Sequence, residues 1–119
     1  KDEDGLAEDV AGDGEYSCAM YVSSVLSLHG MIDRPHATVT TTLTKMAEHG
    51  WNETQQPEPG DVVEWGKSAD GHEHIGFVVG ENACISNSQS TGNPQRHAFS
   101  MNDGRKPVRY WKYTWPKNN

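Results

Sequence analysis

The chain reads as an α+β protein in which N-terminal helices pack on a small antiparallel β-sheet, and three observations predict it. Residues 16–28 and 39–49 place apolar side chains at helical spacing. After Gly60 the pattern changes to short β-branched and aromatic runs separated by turn residues. Helices first and strands afterwards is the order that segregates the two kinds of element into layers.

In chain order, residues 1–15 have little to bury and read as a flexible acidic arm, which leaves 16–119 as a single domain. At about 100° per residue, Cys18, Ala19, Val22, Val25 and Leu26 share one face of a first helix, with Ser23, Ser24 and Ser27 opposite. Ser17 suits an N-cap and Gly30 a left-handed stop, so the helix is expected from about Cys18 to about His29. Cys18 then falls in the first turn, where unpaired N–H groups and the helix dipole favour a thiolate. Val39, Leu43, Met46 and Ala47 define a second helix that stops at Gly50. Trp51 to Gly60 is expected to be a connection, because Pro57 and Pro59 exclude regular structure. Asp61–Trp65 reads as a strand, and His74–Gly80 and Ala83–Ser88 as a hairpin joined through Glu81-Asn82. Gln89–Gln95 reads as a loop and Val108–Trp115 as a final strand.

Charge is unevenly placed within the net −7. Seven acids and one base lie in residues 1–15, nine acids and three bases in 16–95, and one acid and six bases in 96–119. Overall acidity argues against a nucleic-acid partner. The basic end is expected to be a solvated edge strand guarded by Lys and Arg. No apolar run approaches the roughly 18 residues of a membrane span. The sequence begins with Lys1, and a targeting segment, if there is one, is expected to lie outside it.

Two cysteines permit one disulfide, but Cys18 is better placed as a nucleophile and Cys84 as a residue of a buried strand. A thiol nucleophile needs a base, and the base needs a polar group to hold its ring. His74, opening a strand, supplies the base; Gly76 is expected to leave space where the helix approaches. A two-residue turn at Glu81-Asn82 makes paired positions sum to 163, which puts Asn87 on the His74 face, as the third catalytic residue that holds the ring, and Ser86 on the reverse; a bulge would exchange them. His97 cannot be placed by counting. Tyr16 and Trp65 are candidates to line a substrate groove, and Ser17, Tyr16 and the Cys18 backbone N–H to stabilise an oxyanion. A metal site at His72-Glu73-His74 with Cys84 or His97 lacks the spacing of known ligand sets, and the chemistry requires no cofactor.

Ser17-Cys18-Ala19-Met20-Tyr21-Val22, Pro59-Gly60-Asp61-Val62-Val63-Glu64-Trp65 and His74-Ile75-Gly76-Phe77-Val78-Val79-Gly80 together resemble the three signature blocks of the NlpC/P60 and CHAP peptidases. These are papain-like cysteine hydrolases, mostly of bacterial peptidoglycan. The resemblance implies a papain-like fold, Cys18 as nucleophile, His74 as base and a third polar residue on the next strand. It also implies a peptidoglycan peptide as substrate and a secreted or wall-associated protein, and a monomer is expected. Ser17 stands where NlpC/P60 members have Asp, and Ser86-Asn87 where they have His, so the wording is nearer to CHAP. Both amidases and endopeptidases occur in this superfamily. A binding module without turnover and an antibacterial effector amidase are the alternatives.

Overall fold

In chain order the described elements are helices α1 (Gly14–Leu28) and α2 (Val39–Glu48), then strands β1 (Trp51–Thr54), β2 (Val62–Trp65), β3 (His74–Gly80), β4 (Ala83–Asn87), β5 (Pro94–His97) and β6 (Pro107–Tyr113). They come from a computed structural model that describes residues 14–69, 71–88 and 92–114, with side chains from Ser17 onward. The expected arm at 1–15 lies outside these residues except for its last two. Those two are helical, because α1 starts one turn earlier than the apolar periodicity does.

The end of α1 is as its sequence requires. Gly30 takes φ +71°, its N–H donates to Ser27 O at 3.1 Å, and the Met31 N–H donates to Leu26 O at 2.9 Å. This closes the last carbonyls of the helix at a backbone conformation that costs glycine little. Thr38 caps α2, its Oγ1 accepting from the Thr41 N–H at 3.1 Å, and Val39, Thr42 and Met46 form the buried stripe.

All pairings in the sheet are antiparallel, in the order β1-β6-β2-β3-β4-β5. Two strands arise where connections are expected. β1 forms inside the 51–60 segment, ahead of its prolines, by pairing with β6 from Trp51↔Tyr113 to Thr54↔Tyr110. β5 takes up the end of the expected loop and pairs with β4 from Cys84↔His97 to Asn87↔Pro94. Consequently β6 is an interior strand and not an edge. Its bases are held by acids of neighbouring segments: Arg109 Nη2 meets Glu64 Oε2 at 2.8 Å, and Lys112 Nζ meets Asp61 and Glu58, each at 2.9 Å.

Alternation along the strands divides the apolar residues between two faces. Cys18, Ala19, Val22 and Leu26 of α1 pack with Val39 and Met46 of α2 over Trp51, Val62 and Ile75, with Phe77, Trp111 and Tyr113 at the margin. Tyr21 meets the Phe77 ring edge-on at 5.7 Å. On the reverse face Val63, Trp65, Val78 and Cys84 form a second cluster, closed by Phe99, Met101 and Tyr110. The sheet is thus covered by helices on one side and by the β5–β6 connection on the other. At 45 × 37 × 20 Å the molecule is flattened, as two thin layers around one sheet require.

Candidate active site

Cys18 is the fifth residue of α1, one turn further in than expected, and Ser17 lies within the helix and not at its cap. The N–H groups without helical partners belong to the first four residues, and the dipole acts within the first turn, so neither favours the Cys18 thiol as strongly as a helix-start position would. For the same reason the Cys18 N–H is a poor oxyanion donor. The thiol has 0% exposure and packs in the helix-side cluster. The side chain of Tyr16 lies outside the described residues.

Ser17 has a different task. Its Oγ accepts from Asn87 Nδ2 at 2.8 Å, which ties the Cys18 turn to the end of β4. Asn87 is therefore on the helix side, not beside the imidazole. The register explains why. Gly80 faces Ala83, as a two-residue turn demands, but Val78 faces Cys84 and Phe77 faces Ile85, because an irregularity between Val78 and Gly80 leaves Val79 unpaired. Beyond it paired positions sum to 162, which exchanges the faces of Ser86 and Asn87.

Ser86 consequently meets the base. His74, at the head of β3 and buried, has its Nε2 2.8 Å from Ser86 Oγ. The same oxygen is 2.6 Å from His97 Nε2, and His97 Nδ1 is 2.7 Å from Ala98 O. Gly76 makes this contact possible: a Cβ there would lie 2.6 Å from Ile85 O and 2.7 Å from Ser86 Cβ. The space it leaves is filled by β4, not by the approaching helix as expected. Trp65 does not line a groove. It has 0% exposure, its ring lies 5.3 Å from that of His74 and 5.5 Å from that of His97, and its Nε1 donates to Phe99 O at 2.7 Å.

Burial in this apolar setting pushes the His74 pKa down to about 4, with the charge of Arg105, and that of His97 when it is protonated, acting in the same direction and Asp103 opposing them. At neutral pH the ring is an uncharged base. Cys84, on the same face, is pushed up to about 11 by burial, and its Sγ packs 3.6 Å from His97 Nδ1. It is an unreactive thiol. Cys18 and Cys84 form no disulfide and belong to clusters on opposite faces. Among the described residues no group of three or more His, Cys, Asp or Glu side chains is arranged to hold a metal ion.

The structure therefore sets Cys18 and His74 at the same end of the sheet, the thiol in the helix-side layer and the imidazole hydrogen-bonded to Ser86 on the reverse. Alongside Ser17 and Asn87 runs an open groove of about 470 Å³ whose wall is the outer stripe of α1, with Met20, Tyr21, Ser24, Val25 and Leu28, and Gly92 opposite. Val25, expected in the buried stripe, is only half-buried and lines this groove. Glu64 carries no functional signal in the sequence. It is 2% exposed in the helix-side layer and accepts from Arg109 and, at 3.1 Å, from Trp111 Nε1.

No helix among the described residues is long and apolar enough to cross a membrane. Among curated proteins none matches the chain in sequence. The family model of the CHAP domain matches residues 9–93, a span that holds the Cys18 helix, the β2 block and the His74 strand. With most of its length matched and its helices packed on an antiparallel sheet, the chain belongs to the CHAP domain family, cysteine peptidase and amidase domains of the NlpC/P60-like superfamily.

Proposed function

We propose that this domain hydrolyses a peptide or amide bond of bacterial cell-wall peptidoglycan, with Cys18 as nucleophile and His74 as general base. The observation that carries the reading is the Asn87–Ser17 hydrogen bond, which fixes the thiol-bearing turn over the end of the sheet at which His74 begins. The groove beside Ser17 and Asn87 gives a peptide somewhere to lie.

In this mechanism the neutral His74 ring takes the Cys18 proton as sulfur attacks the scissile carbonyl carbon, and the carbonyl electrons move to oxygen. Collapse of the tetrahedral adduct expels the amine, which His74 protonates, and leaves a thioester on Cys18. Water, deprotonated by His74, then attacks the thioester and releases the acid and the thiol. Because the His74 ring is uncharged at neutral pH, it is in the form that accepts a proton when the sulfur attacks. The acid limb of kcat/KM is accordingly expected near pH 4, not near the ordinary imidazole value; a limb at about 6.5 would show that the base is not held in the depressed state that burial gives His74. Since the thiol is wholly buried, attack also requires the side chains that cover it to move aside. Acting on peptidoglycan implies a secreted or wall-associated protein.

Incubation with purified peptidoglycan followed by mass spectrometry tests the reading. New termini identify the bond: a freed lactyl carboxylate marks an amidase, and a new termini pair within the stem peptide marks an endopeptidase. Cys18→Ala is expected to lower fragment release at least about a hundredfold while the chain stays folded, since one sulfur is lost from a large cluster. Undiminished release by the folded variant would exclude Cys18. A second reading, a wall-peptide-binding module without turnover, draws on the buried thiol and on the imidazole bonded to Ser86. It is favoured if the wild-type chain sediments with peptidoglycan and releases no fragment.

A further inference from the structure

The hydrogen bonds around His74 have a direction that can be worked out from one end. Ala98 O is a carbonyl and can only accept, so His97 Nδ1, 2.7 Å away, carries a proton and donates it. In the neutral ring His97 Nε2 is then an acceptor. The Ser86 hydroxyl, 2.6 Å from it, has a single hydrogen and gives it to that nitrogen. Ser86 Oγ is left to accept, and what faces it at 2.8 Å is His74 Nε2, which must carry N–H. The neutral His74 ring has one proton only, so its Nδ1 holds a lone pair.

We propose that Ser86 and His97 are positioning residues that fix His74 as its Nε2–H tautomer and thereby make Nδ1 the basic atom of the site. The inference rests on the proposed function, in which His74 is the base, and names the groups that set its state. Asn87 has no part in it. The arrangement is built and not incidental: Ser86 is 3% exposed, Gly76 lacks the Cβ that would collide with it, and Trp65 packs against both imidazoles. The charged and titratable groups facing the pair are few. Among the described residues they include Arg105 and Asp103 from the β5–β6 connection, Cys84 from β4 and, behind Cys84, Tyr110 from β6. Arg105 is itself held by Asp103 at 2.9 Å and by the carbonyls of Gly66 and His72, so its charge stays in place.

Long-range ¹⁵N–¹H correlation spectra of the wild-type chain at pH 7 read the tautomers directly and need neither a variant nor a substrate. His74 is expected protonated at Nε2 and His97 at Nδ1; the reverse in either ring overturns the proposal. Ser86→Ala is then expected to mix the His74 tautomers and to lower kcat on purified peptidoglycan about tenfold, or about 1.4 kcal/mol in barrier, with KM changed less than about twofold. Ser86→Thr, which keeps the hydroxyl, is expected to restore both. His97→Phe, retaining a ring against Trp65 without the acceptor, is expected to shift the His74 resonances as Ser86→Ala does, and spectra unmoved by both changes would overturn the proposal. Failure of the underlying reading looks different: Cys18→Ala would hydrolyse peptidoglycan as wild type does, while the wild-type tautomers would still decide the hydrogen-bond chain.

Discussion

Gly76 is the residue on which the imidazole's surroundings turn. A methyl group at this position meets backbone and a Cβ on β4, neither of which can swing away, so Gly76→Ala must push β3 and β4 apart. The expected cost is about 1–3 kcal/mol, the range for overpacked interiors, read as a shift in urea midpoint. Gly66→Ala is the control, since its Cβ would meet only Val108 Cγ1 at an ordinary 3.6 Å, and it is expected to stay within about 0.5 kcal/mol of wild type. Equal effects would mean that β4 yields easily. The sequence showed that Gly76 leaves room on the His74 face, because residues two apart share a face. It pointed to the helix and not to Ser86, because which β4 side chain faces Gly76 depends on one unpaired residue, Val79, whose bulge no local propensity announces.

At the level of elements, what was legible tracks what is buried. β2, β3 and β4 carry β-branched and apolar runs and emerge as expected, whereas β1 is Trp-Asn-Glu-Thr and β5 Pro-Gln-Arg-His, both largely exposed. Such strands are held by main-chain pairing with a neighbour, so their side chains carry little signal. The first turn of α1 escaped for a similar reason, since Gly14 and Glu15 add nothing to an apolar stripe. β6 was expected, but its place was not: with β1 unrecognised, Lys and Arg looked like edge protection. They are instead ties to the acids beside them, which makes the β2–β6 seam depend on charge. Arg109 lies half-exposed over the Trp111 ring at 5.4 Å and neutralises the buried Glu64, whose hydrogen bond in turn raises the Arg109 pKa. A double-mutant cycle with Glu64→Gln and Arg109→Met is expected to give a coupling of about 1 kcal/mol, above the usual surface ion pair. A coupling near zero would make Trp111 Nε1 the partner that matters to Glu64.

For the whole molecule, the depressed ionisation of His74 becomes a dependence of stability on pH. The unfolded chain protonates this ring near 6.5 and the folded one only near 4, so between those values the unfolded state binds more protons. Stability from this group is complete above about 6.5 and is lost as pH falls toward 4, by on the order of 3 kcal/mol in all. Urea titrations at several pH values should show that slope in wild type and its loss in His74→Phe; the same slope in both would assign it to other groups. The strand order has a consequence of another kind, one of time. β6 lies between β1 and β2, joining Trp51 to Tyr113 and Val62 to Trp111, so an interior strand of the sheet is supplied by the last described strand to leave the ribosome. Until then β1 has no neighbour and β2 is bare along one side. The nascent chain must carry that open seam until synthesis has passed Tyr113, and its folding is governed by a closure across roughly half its length, the long-range pairing that makes sheet proteins slow.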